Sequence, residues 1–403
     1  MAQLLVEVVA ILMITSGCGW LLRRLGQPTV VGEITGGLLL GPLVFGQIAP
    51  TLHARLFPVS GLSALQTLSQ VGLVLFLFMI GAELELDAIR RNVRTVAATT
   101  AGSMLLPFAF GVAVAPLLWH RFASLRGFPA FAFFVGIAMS ITALPVLASL
   151  LRERAQSGRA ERDECSSIAL LSASVNDLLG WCALSSMLIL LHGTGGLRVL
   201  ATHLGLLLLF VAAMLFVLRP LLRWLASTLP FWITGMLLVL VAFLSSQVTE
   251  GLGLHAFAGA FLAGLCVPRS PDERLTQLMQ NSLRPVIRFT LPFFFALTGL
   301  RMQPGLFRAG GMVYLLLIVA LAVTGKIVGA AVMARSSGLQ WYEALRIGLL
   351  LNTRGLVELI VLDVGYREGV LDAGLFTLFV LMALLTTAMT APLLDLHHRL
   401  AVS

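Results

Sequence analysis

Charge is scarce in this chain. Asp, Glu, Lys and Arg together make up 11% of its 403 residues, against about a quarter in a soluble domain. So few ionisable groups cannot cover the surface of a soluble protein of this length, and that class is excluded. Lysine is nearly absent: of 27 basic residues, 26 are arginine and one is Lys326. The cysteines, Cys18, Cys165, Cys182 and Cys266, show no CxxC spacing, so neither a metal site nor a disulfide framework is expected. HExxH, GxSxG and paired catalytic aspartates are missing, which argues against a membrane-embedded hydrolase; no enzyme activity and no cofactor are expected. The formal charge of +8 calls for no nucleic acid, because basic residues of membrane proteins collect in cytoplasmic loops.

What the chain has instead is apolar length. Hydrophobic residues make up 58% of it, with a mean hydropathy of +0.97. Apolar runs of membrane-spanning length recur throughout. Thirteen segments are expected, roughly at 3–22, 29–45, 62–84, 95–118, 128–150, 167–191, 199–220, 230–248, 253–268, 284–302, 311–334, 343–364 and 371–393. Segments two and nine are short and rich in glycine. No soluble domain interrupts the series, so 1–403 reads as one integral domain: an all-α polytopic membrane protein. The start, MAQLLVEVVA, lacks a basic leader region and reads as part of the first span.

Arginine sets the expected orientation. With the N-terminus outside, eighteen arginines fall in inward loops and seven in outward ones. That bias predicts an outside N-terminus, a cytoplasmic C-terminus and an odd number of spans. The chain also resembles itself at an offset of about 210–222 residues. VGEITGGLLLGP (31–42) pairs with LHAFAGAFLAGLCVP (254–268), and LFLFMIGAELE (75–85) with PFFFALTGLRM (292–302). The members of each pair run oppositely across the membrane, as in the inverted repeats of secondary transporters.

Two segments carry breaks at matching places. Segment five contains SITALPVLAS, where Pro145 removes a backbone donor. Segment twelve contains LLNTRGLVEL, where polar Asn352, Thr353 and Arg354 precede Gly355. Unwound backbone at membrane depth is tolerated only where it is buried or lines a cavity, so paired breaks point to a transport site.

Ionisable groups inside the spans are costly and mark ion paths. Asp177 lies in SASVNDLLGW, in the middle of segment six, with Asn176 beside it. Burial and a neighbouring cation pull a carboxylate's proton affinity in opposite directions, so a buried Asp can be tuned to exchange a proton for a metal ion. Its oxygens suit hard cations such as Na⁺, with backbone carbonyls, the Asn176 amide or the oxygens of Thr142 completing the shell. Lys326 lies in VTGKIVGAA, too deep in segment eleven to snorkel. In a chain that otherwise uses arginine, it suggests a need for an ammonium that can lose its proton. Arg354 and Glu358 share one helical face, Arg354 as a holder of carbonyls freed at the break and Glu358 as a neutraliser of it or of Lys326, or as a contributor to the cation path. His255 reads as a packed histidine; Glu83, Glu85, Asp87 and the ERDE run at 161–164 read as interfacial charges.

SITALPVLASLL, ASVNDLLGW, GLHAFAGAFLAGLCVP, LPFFFALTGL and NTRGLVELIVLDVG together resemble the membrane domain of the monovalent cation:proton antiporter-2 family, from about residue 5 to 395. The resemblance implies about 13 transmembrane helices in two inverted repeats with two crossing broken helices, the sodium/proton antiporter fold. It further implies a homodimer in the plasma membrane, with a dimerisation part at about 1–90 and 228–303. A core at about 92–192 and 310–395 carries transport, and a linking helix lies at about 198–224. By this similarity Asp177 is the ion-binding and proton-exchanging aspartate, and Lys326 matches the lysine of the eleventh segment. Electrogenic members carry a second Asp where this chain has Asn176, which points to electroneutral exchange of Na⁺ or K⁺ for H⁺ by alternating access. Kef-type members carry a nucleotide-binding tail that is missing here, so any such control would come from a separate cytosolic regulator. The competing readings are a channel-like K⁺ efflux component and a sodium-coupled organic-anion symporter of similar architecture. The first needs no titrating site, and the second needs a large polar cavity that the residues around both breaks do not supply.

Overall fold

The computed structural model describes residues 2–58, 62–83, 93–122, 124–156, 164–192, 196–252, 256–268, 274–304 and 310–402. His255, Glu85, Asp87 and residues 161–163 lie outside them. Every regular element among the described residues is a helix, as a hydrocarbon solvent demands of an open chain, since only a helix satisfies its own backbone. In chain order these are α1 (Ala2–Arg24), α2 (Thr29–Leu40), α3 (Phe45–Ile48), α4 (Pro50–Leu56), α5 (Leu62–Glu83), α6 (Val93–Trp119), α7 (Phe128–Ser140), α8 (Leu144–Gln156) and α9 (Glu164–His192). They continue with α10 (Gly196–Ala213), a π-helical turn at Met214–Leu218, α11 (Arg219–Thr228), α12 (Phe231–Gly251), α13 (Ala256–Leu265), α14 (Arg274–Leu300), α15 (Gly311–Ser336), α16 (Trp341–Leu351), α17 (Leu356–Arg367) and α18 (Ala373–Val402).

Eleven stretches of described helix are long and apolar enough to cross a membrane. One of them, Phe128–Ala155, is the broken pair α7–α8. The short α13 and the second broken pair, α16–α17, supply the remaining segments expected from the sequence. The protein is a multi-pass membrane protein.

The chain divides into two compact units. One comprises Met1–Leu62, Leu86–Gly180 and Phe295–Ser403; the other comprises Ser63–Glu85 and Trp181–Phe294. Both broken helices, Asp177 and Lys326 belong to the first. Within it, α6 and α15 approach so closely that a Cβ on Gly102 would lie 2.1 Å from the Gly329 carbonyl oxygen. Only backbone fits there, which brings the polar stretch of α6 beside Lys326 on α15. In the second unit, the Met214 carbonyl at the π-helical turn accepts both the Arg219 N–H and the Cys266 thiol, the latter at 3.2 Å.

Each break has a local cause. Helix α7 stops at Ser140, and Ile141 is extended, with φ −69° and ψ 141°. Pro145 is the second residue of α8, where no intrahelical N–H is required, so the proline starts a new helix rather than bending one. At the other break Gly355 adopts φ 156° and ψ −126°, a conformation essentially reserved for glycine. A Cβ there would also lie 2.6 Å from Val146 Cγ2 on α8.

Candidate functional site

The two breaks touch. The Ala143 N–H donates to the Thr353 carbonyl at 3.1 Å, and Thr142 Oγ1 donates to the Leu351 carbonyl at 3.4 Å. Backbone groups that leave their own helices at one break are thus partly satisfied by the other.

A side chain from a neighbouring helix straddles each break. At the first, Asn176 Oδ1 accepts the Thr142 N–H at 2.9 Å, and its Nδ2 donates to the Ser140 carbonyl at 3.2 Å. At the second, Thr387 Oγ1 on α18 accepts the Arg354 N–H at 2.7 Å and donates to the Arg354 carbonyl at 2.6 Å. Asn352 Nδ2 adds a bond to the Thr386 carbonyl at 3.0 Å. Thr387 was not among the residues expected from the sequence. Its distance of 211 from Asn176, inside the internal offset, is the signal that would have found it.

Helix ends sort the charges. The C-terminal end of α7 presents unpaired carbonyls and a partial negative charge. Arg354 donates there to Ala138 O at 3.0 Å and Met139 O at 2.5 Å, and Lys326 Nζ takes the next carbonyl, Ser140 O. Lys326 also donates to Ser103 O on α6 at 3.0 Å. Among the described residues the hydrogen bonds of Lys326 therefore go to carbonyls, with neither Asp177 nor Glu358 in direct ion-pair contact. Arg354 does pair with Glu358, at 3.2 Å, and both side chains are fully buried.

The N-terminal end of α8 has the opposite polarity. The Leu144 N–H points at Asp177 Oδ2, 3.4 Å away. Asp177 is 2% exposed, and its second oxygen, Oδ1, is buried without a hydrogen-bond partner among the described residues. A carboxylate oxygen in that position costs free energy unless something binds it. A proton can, and so can a small hard cation.

The sequence-derived set thus falls into one cluster: Asp177, Asn176 and Thr142 lie at the first break, Asn352 and Gly355 at the second. Lys326, Arg354 and Glu358 surround the C-terminal end of α7, and Pro145 opens α8. Among the described residues no group of three His, Cys, Asp or Glu side chains is arranged to hold a resident metal ion.

The family model for the transmembrane sodium/hydrogen exchanger matches residues 10–396. The Na(+)/H(+) antiporter NhaS4 of Synechocystis is 32% identical, over 97% of this chain and 96% of its own length. The K(+)/H(+) antiporter 1 of Saccharomyces cerevisiae is also 32% identical, over 92% of this chain. This chain spans 44% of the yeast protein and about half of Arabidopsis thaliana relatives such as Cation/H(+) antiporter 20. The sodium proton antiporter MjNhaP1 of Methanocaldococcus jannaschii shares the fold, with a TM-score of 0.70 over 96% of this chain and 94% of that one, at 16% identity. Two broken helices meeting beside a buried aspartate, in a chain matched almost end to end, therefore belong to a member of the transmembrane sodium/hydrogen exchanger family.

Proposed function

We propose that this protein is a secondary antiporter that exchanges a monovalent cation, Na⁺ or K⁺, for H⁺, with Asp177 as the group both ions compete for. The observation that carries this reading is the buried Oδ1 of Asp177 at the first break, unpartnered among the described residues. A proton on that oxygen satisfies it by neutralising the carboxyl group. A dehydrated alkali ion satisfies it by charge, with oxygens of the adjoining break, Thr142 Oγ1 among them, as the candidates to complete a shell. The two occupancies exclude one another, and that exclusion couples the fluxes.

Asn176 supports an electroneutral cycle. Its carboxamide serves the break as one donor and one acceptor, which leaves Asp177 as the exchanging carboxylate. Lys326 and Arg354 hold the C-terminal carbonyls of α7 and so keep the break open. The two similarly bridged breaks favour inverted repeats and alternating access. The arginine bias favours an outside N-terminus and a cytoplasmic C-terminus, and the family resemblance a homodimer in the plasma membrane.

The test is dissipation of a pH gradient in proteoliposomes after addition of Na⁺ or K⁺, with membrane potential clamped and unclamped. Wild-type protein is expected to exchange without generating current, and Asp177→Asn to fold but lose exchange. Undiminished exchange by Asp177→Asn removes the aspartate from the mechanism.

A further inference from the structure

Buried hydroxyls on the membrane helices mostly return their proton to a carbonyl of their own helix. Thr15, Ser174, Thr290 and Thr390 each donate to the carbonyl four residues earlier, at 2.7, 2.8, 2.8 and 3.0 Å. Thr99 on α6 and Ser172 on α9 do not. Both are 0% exposed, and among the described residues Thr99 Oγ1 and Ser172 Oγ have no hydrogen-bond partner.

Their placement is ordered. Thr99 lies four residues before Ser103, whose carbonyl receives Lys326, so it sits one turn further toward the Val93 end of α6. Ser172 lies four residues before Asn176, one turn toward the Glu164 end of α9. A bond from Thr100 Oγ1 to the Ser172 carbonyl, at 3.4 Å, joins the two helices at that level. Ser103 Oγ donates to the Thr100 carbonyl at 3.0 Å and continues the polar seam upward to Lys326. A hydroxyl so buried, with no partner among the described residues, is ordinarily satisfied by an ordered water.

We propose that Thr99 and Ser172 hold a buried water one helical turn from the Lys326–Asn176 layer, and that this water relays protons between Asp177 and the Glu164 end of α9. This relay rests on the antiport reading above and adds a route to it. The water donates a hydrogen bond toward the Asp177 side and accepts one from a hydroxyl. A proton delivered to it is matched by one released on the far side, so no atom accumulates.

Two measurements decide the matter, and only one depends on transport. A high-resolution density map of the wild-type protein in lipid nanodiscs should show a water peak within hydrogen-bond distance of both hydroxyls. A dry contact there overturns the proposal whatever the protein transports. In proteoliposomes, Thr99→Val with Ser172→Ala should slow exchange about tenfold or more, the loss of one positioned proton-transfer step. The cation concentration that half-stabilises the protein against heat in detergent should stay within about twofold of wild type, since the cation binds at Asp177. Thr99→Ser with Ser172→Thr should retain exchange, and each single variant serves if the double variant does not fold. Exchange at the wild-type rate, an equal loss of cation affinity, or a failure of the hydroxyl-preserving pair each overturns the relay. Failure of Asp177 itself reads differently: Asp177→Asn loses the cation-dependent stabilisation altogether.

Discussion

Asn176 reaches Thr142 and Ser140 at once, accepting an N–H from one and donating to the carbonyl of the other across the unwound turn between them. The site needs a side chain with one donor and one acceptor there, and a carboxamide is that group. An ionised carboxylate has no proton to give to Ser140, whereas a protonated acid has one. Asn176→Asp is therefore expected to melt lower than wild type at alkaline pH and to recover at acid pH, with a loss of about 1–3 kcal/mol while the carboxyl is charged. Thermal unfolding in detergent across the pH range checks it. A variant equally stable at both ends would show that Asn176 does not clamp the break.

Arg354 and Glu358 form a fully buried pair in which the arginine also serves two carbonyls. Removing the cation alone strands a charge and two helix-end carbonyls. Arg354→Ala should cost about 3–5 kcal/mol, enough to reduce yield sharply. Arg354→Met combined with Glu358→Leu strands only the carbonyls, and it should be more stable than the single variant. Melting temperatures of the purified variants decide the order, and the reverse order would show that the ion pair is not the dominant contribution.

His53, on the short helix α4 outside the spans, packs edge-on to Phe45 and tilted against Phe57. Burial holds its imidazole below the ordinary value of 6.5, opposed by a hydrogen bond with the Leu40 backbone. The folded protein therefore binds fewer protons here than the unfolded chain just below 6.5. Its contribution to stability is complete above that value and declines as the pH falls through the folded-state value. His53→Gln should remove this acid-side loss, seen as a flatter melting profile below pH 6.5 than wild type gives. Parallel profiles would show that the ring titrates freely.

The sequence by itself determined the membrane class, the number of segments, the position of both breaks and the residues to watch. Each of these is written in local pattern: apolar length, a proline, a glycine, or a charge where hydrocarbon forbids one. Pro145 and Gly355 were legible because their backbone chemistry acts on the residue itself. Partners were not legible, because they depend on which helices lie side by side. Lys326 invited an acidic partner on charge alone, and packing gave it the carbonyls of Ser103 and Ser140 instead. The bonds of Asn176 to the Thr142 N–H and the Ser140 carbonyl have no local signal, and neither does the place of Thr387 across the second break. Only tertiary structure decides such matters, since a buried polar group takes whichever complementary atom the fold brings within about 3 Å.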